Sequence, residues 1–145
     1  MKTQKVWIWL GIGAAAGYFG WMNRRLLTVN DVTTGESAAY PALRSRVYYA
    51  EISRAMTAAQ QALSRLPGWE LGSRDAENDL LEASVKTALG TDDVTAYFFT
   101  LGHSQVRVTI RSRSRNGYGD LGRNAAHICQ LQAAMDDRLN ADAAF

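Results

Sequence analysis

The residues best equipped for chemistry in this sequence lie in Val106–Asn124, VRVTIRSRSRNGYGDLGRN, which holds Arg107, Arg111, Arg113, Arg115, Arg123 and Asn124. Apolar and polar residues alternate through its first half. A strand here turns Val106, Val108 and Ile110 to one face and Arg107, Thr109, Arg111, Arg113 and Arg115 to the other. Same-face neighbours on a strand stand roughly 6.5–7 Å apart, so guanidiniums at that spacing repel unless something negative lies between them. Inside the chain the candidates are Asp92, Asp93 and Asp120. Outside it they are a phosphate, a carboxylate or a lipid headgroup. Bidentate guanidinium–carboxylate pairing makes either arrangement strong.

Other chemistry finds little support. The turn Gly117–Asn124 leads into a helix, a layout that can hold phosphate on backbone N–H groups. It has no Walker lysine, and Asp120 would face any anion. His103 falls in a hairpin turn. His127 and Cys129 lie on the last helix, and the three are too dispersed for a metal site. Asp75, Glu77 and Asp79 alternate like the start of a calcium loop, but Leu80 and Lys86 stand where its glycine and terminal glutamate belong. The reading assigns no catalytic residue, no metal and no cofactor.

Charge distribution narrows the partners. The formal net charge is +2, yet residues 1–25 carry Lys2, Lys5, Arg24 and Arg25 with no carboxylate. Twelve basic and fourteen acidic side chains remain, a net of −2. With the five arginines and Asp120 of Val106–Asn124 set aside, the rest of the domain is at −6. A basic island in an acidic domain, without interleaved aromatics, speaks against nucleic acid.

The elements that must position the arginines follow from periodicity. Arg44–Ala50 reads as a strand and Glu51–Leu66 as a helix, with Ile52, Met56, Ala59, Leu63 and Leu66 on one stripe before Pro67-Gly68. Strands follow at Trp69–Arg74, Leu80–Leu89 and Val94–Leu101, the last opened by Asp92-Asp93. The closing helix runs from Asp120 or Asn124 to Asn140, with Leu121, Ala125, Ile128, Leu131, Met135 and Leu139 as its apolar stripe. The order β-α-β-β-β-β-α predicts an α+β fold: an antiparallel sheet of about five strands with two helices on one face. Residues 42–145 form that domain and 26–41 are linker and lead-in.

Val6–Met22 carries no charge. A cleaved signal peptide, a retained anchor and a buried helix are the alternatives. Trp7 and Trp9 at one end, Tyr18 and Trp21 at the other, and Arg24-Arg25 beyond favour a membrane anchor over residues 1–25. Gly13 and Gly17 form a GxxxG that suits an anchor-mediated dimer. A first hydrophobic segment followed by a globular domain places that domain on the extracytoplasmic side.

The run Arg111-Ser112-Arg113-Ser114-Arg115, then Gly117, Asp120, Gly122, Asn124, Ala125-Ala126 and Ile128, resembles the signature of the domain of unknown function 1499 family. Asp92-Asp93 at a strand start and Asn30-Asp31-Val32-Thr33-Thr34 resemble it too. The likeness spans roughly Asn30–Leu139. Gly90-Thr91 replaces an aromatic of that family, and His127 stands where the family tends to have arginine. The resemblance implies a bacterial or plastid-type protein, often membrane-associated, and supplies no activity.

The function expected is therefore a membrane-anchored, non-enzymatic domain. Through its arginine face it would bind a small anion, an anionic lipid or a protein partner. The alternatives are an accessory subunit of a membrane or envelope complex with the arginines used internally, and an enzyme acting on an anionic substrate.

Overall fold

Strand alternation dominates residues 69–114, and there the chain builds most of its sheet. The computed structural model describes residues 16–21, 23–117 and 119–141. In order they form α1 (Arg24–Thr28), β1 (Asp31–Thr33), β2 (Arg46–Tyr48), α2 (Ile52–Leu63), β3 (Trp69–Asp75), β4 (Leu80–Thr87), β5 (Gly90–Thr100), β6 (Val106–Ser114) and α3 (Arg123–Ala141). Residues 16–21 are helical as well.

The six strands make one antiparallel sheet in the order β1-β6-β5-β4-β3. β2 also pairs with β6, so β1 and β2 share one edge, opposite residues 111–113 and 106–108 respectively. The expectation of about five strands is corrected here. The additional strand, Asp31–Thr33, lies inside the stretch read as linker and lead-in. Three residues are too few to display a period of two, and this strand exists because β6 offers it a partner.

Two further boundaries shift. β5 begins at Gly90, so Asp92 and Asp93 are strand residues on opposite faces rather than a lead-in. β4 ends at Thr87, which pairs with Gly90 across a two-residue turn, so Leu89 lies in the turn and is exposed. Gly90 carries φ +134, and a Cβ there would press on the Asn116 amide.

Both helices cover the same sheet face, α2 over β3–β5 and α3 over β6, β1 and β2. Met56, Ala59 and Leu63 of α2 and Ile128, Leu131 and Met135 of α3 are buried against Leu81, Val94, Val108 and Ile110. Each of these side chains other than Ala59 contributes about 1.5–3 kcal/mol of burial. Leu121 does not belong to the α3 stripe; it precedes the helix and is exposed. Gly119 passes so close to α1 that a Cβ would overlap the Leu27 backbone.

The membrane-spanning helix is also corrected. Among the described residues no helix is long and apolar enough to cross a membrane. A span needs about 20 apolar residues, and the described helical part of Val6–Met22 is residues 16–21. Most of that segment, Gly13 included, lies outside the described residues. The membrane partner, the single-pass extracytoplasmic placement and the anchor-mediated dimer all needed that element.

Candidate functional site

Alternation along β5 and β6 divides the signature between the two faces of the sheet. On the helix side stand Asp92, Ser112 and Ser114, all buried. On the other side, which no described helix covers, stand Arg107, Arg111, Arg113 and Asp93. Two separate polar systems result.

The inner system centres on Asp92, which is fully buried. Arg123, the first residue of α3, donates from Nε and Nη2 to its two oxygens, both at 3.1 Å. His127 lies one turn further along the same helix face, with Nε2 2.9 Å from Asp92 Oδ2. Its ring meets that of Trp69 edge-on at 5.6 Å. Arg123 also reaches Ser114 Oγ at 3.3 Å. Burial by itself pushes the Asp92 carboxyl up. The hydrogen bonds from Arg123, Ser114 and His127 outweigh it and hold the group below its ordinary 3.8.

Asn124, also fully buried, extends this system. Its Oδ1 accepts from Ser112 Oγ at 2.6 Å. Its Nδ2 donates to Ser114 Oγ and to the Asn30 carbonyl, both at 3.0 Å. Asp120 holds the helix start: its carboxylate accepts the N–H groups of Gly122 at 2.7 Å and Asn124 at 3.1 Å. The choice between Asp120 and Asn124 as cap is thereby made by geometry, with Asp120 capping and Asn124 in the first turn. The Asp120 and Leu121 N–H groups donate to the Val29 and Leu26 carbonyls, tying α1 and its flank to the same turn.

The outer system consists of paired charges. Arg111 donates to Asp31 from Nε at 2.9 Å and Nη2 at 2.5 Å. That hydrogen bond holds the Asp31 carboxyl below its ordinary value against the smaller effect of burial. Arg115 grips Asp93 with contacts of 2.7–3.1 Å. Arg113 is exposed and stands between Asp31 and Asp93 in the strand register. The Arg107 guanidinium lies 5.1 Å over the centre of the Phe99 ring.

Of the expected charge partners, Asp92 and Asp93 do hold arginines, whereas Asp120 serves the backbone of α3. Asp31, His127, Ser112 and Ser114 were missed. His127 had a legible signal, its spacing of four from Arg123; Asp31 had only its place in the Asn30–Thr34 run. Among the described residues no cluster of histidine, cysteine and carboxylates is arranged to hold a metal ion.

The depressed Asp92 and Asp31 carboxyls fix the sign of the acid response. Both are ionised in the folded state at pH values where the unfolded chain already binds protons. Their contribution is complete above 3.8 and is lost as pH falls through the folded values. Urea midpoints from about pH 7 to about pH 2 should therefore stay level to roughly pH 4 and then fall, with a shallower fall in Asp92→Asn. An unchanged acid limb in that variant would show that Asp92 does not carry it.

The model of the family described as "Protein of unknown function (DUF1499)" matches residues 24–135, which is most of the chain. This chain is a DUF1499 family member. The matched region begins at α1, whose Leu26 carbonyl receives the Leu121 N–H, and ends within α3. The matched region thus includes both ends of the inner network. No curated protein matches the chain.

Among solved structures, norcoclaurine synthase of Thalictrum flavum in complex with dopamine and hydroxybenzaldehyde aligns with a TM-score of 0.49 and 9% identity, over 83% of this chain and 91% of that one. A point mutant of that synthase, with a transition-state analogue, gives 0.48 and 8%, over 80% and 97%. TTHA0849 of Thermus thermophilus gives 0.38 and 12%, over 77% and 98%. Likeness at this level assigns the DUF1499 chain no ligand and no activity.

The expected anion-binding, lipid-binding or partner-binding arginine face is corrected as well. Arg111, Arg115 and Arg123 are each closed on a carboxylate of their own domain. A paired guanidinium offers an external anion little uncompensated charge.

Proposed function

We propose that the DUF1499 signature works as an internal clamp that fixes α3, β1 and the α1 flank to one end of the sheet. The observation that carries this reading is the fully buried Asp92 carboxylate, shared by Arg123 and His127 of the last helix. A carboxylate in such a place is tolerable only with its charge and hydrogen bonds answered, so the helix must dock in one register. Asn124 supports the reading by joining β6 to the residue that precedes β1. The outer pairs add less, since both partners in each are more than a third exposed.

Three double-mutant cycles, read by urea unfolding, test the proposal. Coupling between Asp92→Asn and Arg123→Met is expected at about 2 kcal/mol or more. The Asp31–Arg111 and Asp93–Arg115 cycles should each give below about 1 kcal/mol. Additive behaviour at Asp92 and Arg123 would dispose of the clamp.

A further inference from the structure

The uncovered sheet face carries a groove of about 1030 Å³ between β5, β6 and the turn that follows β1. Tyr97, Phe99, Arg107 and Thr109 supply its floor, and the Asp31–Arg111 pair one wall. Its charged lining is balanced, with Asp31 and Glu36 against Arg107 and Arg111. The Arg107 guanidinium lies 5.1 Å over the centre of the Phe99 ring, which is 44% exposed, and a guanidinium over a ring can still donate from its N–H groups. Beside that floor runs a chain of hydroxyls. Ser45 Oγ lies 2.8 Å from Thr109 Oγ1 and 3.1 Å from Thr34 Oγ1, and Thr34 Oγ1 accepts the Ile110 N–H at 3.0 Å.

Each property excludes a class of ligand. An anion needs net positive charge, and in this lining Asp31 answers Arg111 while Glu36 offsets Arg107. An alkyl chain would strip water from hydroxyls and an ion pair without replacing the lost hydrogen bonds. A sugar ring meets both conditions: its C–H face stacks on a flat aromatic surface, and its hydroxyl rim takes planar donors and acceptors. The volume lies at the upper end of small-molecule sites, about 300–1,000 Å³, and so suits more than one ring.

We infer that this groove binds a short neutral saccharide, with Phe99 and Arg107 as the stacking floor and Asp31, Arg111 and Thr109 as the hydrogen-bonding wall. The inference goes beyond the clamp reading and uses only the Asp31–Arg111 pair, whose neutralisation of Arg111 the phosphate and sulfate arms of the titration test directly.

The experiment is an NMR titration of the isotopically labelled full chain with cellotriose, maltotriose, chitotriose and mannotriose, and with inorganic phosphate and sulfate as anion probes. Saturable binding of at least one trisaccharide is expected with Kd of about 1 mM or tighter, with shifts centred on Tyr97, Phe99 and Thr109. Phe99→Ala and Arg107→Met should each weaken it about tenfold, while Lys86→Met, outside the groove, leaves it unchanged. Melting curves of the two groove variants show that they remain folded. Three results would overturn the inference: no trisaccharide binding, shifts centred elsewhere, or phosphate or sulfate occupying the groove in preference to every sugar. Unchanged affinity in both folded groove variants would overturn it equally.

Discussion

Asp92→Asn should lower the unfolding free energy by about 3 kcal/mol, at the low end of the cost of breaking a buried ion pair, because Arg123 keeps 18% side-chain exposure. An amide has nearly the same shape, so packing is unchanged. What is lost is the charge that answers Arg123 and one acceptor of the Arg123–His127 set. At roughly 4–8 °C per kcal/mol for a domain of this size, the melting temperature should fall by about 12 °C or more. Asp93→Asn is the matched control: it sits one residue away on the outer face, its pair with Arg115 is half exposed, and the loss should stay below about 1 kcal/mol. Equal melting temperatures for the two variants would sink the distinction between inner and outer charges. The comparison is sharp because the two residues are chemically identical neighbours separated only by the parity of a strand.

The second large effect is expected at Asn124. Asn124→Ala strands the Ser112 hydroxyl and removes one partner each from the Ser114 hydroxyl and the Asn30 carbonyl, which keep Arg123 and the Ser114 N–H, and should cost about 2–3 kcal/mol. Asn124→Asp separates hydrogen bonding from mere space filling. It keeps the volume and the acceptor for Ser112, but removes both donated bonds and buries a charge beside the Asp120 carboxylate that caps the same turn. Its loss at neutral pH should equal or exceed that of the alanine variant. Part of that loss should return on acidification, as the new carboxyl binds a proton. Thermal melts at about pH 7 and about pH 5 check this. A fully stable Asn124→Asp protein would mean that the residue only fills space.

Much of the fold was legible before any coordinate. The alternation of Val106, Val108 and Ile110 placed the inward face of β6 correctly, because a strand's period of two follows from backbone geometry alone. The stripes Met56–Ala59–Leu63 and Ile128–Leu131–Met135 identified the two covering helices for the corresponding reason at period 3.6. β1 was not legible. Its three residues have no pattern of their own, and its strand state comes from pairing with residues 111–113, far away in sequence.

The same division runs through the signature. Sequence by itself determined that the arginines cluster, that carboxylates are at hand, and that Arg107, Arg111 and Arg113 share a face. Only tertiary structure decided which carboxylate answers which arginine. Asp92 and Asp93 look interchangeable as neighbours, yet the helix docks on one face of the sheet and not on the other. That docking turns Asp92 into a buried hub for Arg123 and His127 and leaves Asp93 a surface partner of Arg115. It also brings Asp31 to Arg111 across the β1–β6 pairing, a contact between residues eighty positions apart. Backbone periodicity is local, so a sequence displays it. Charge pairing depends on which surfaces meet, and the hydrophobic burial of α3 against the sheet decides that.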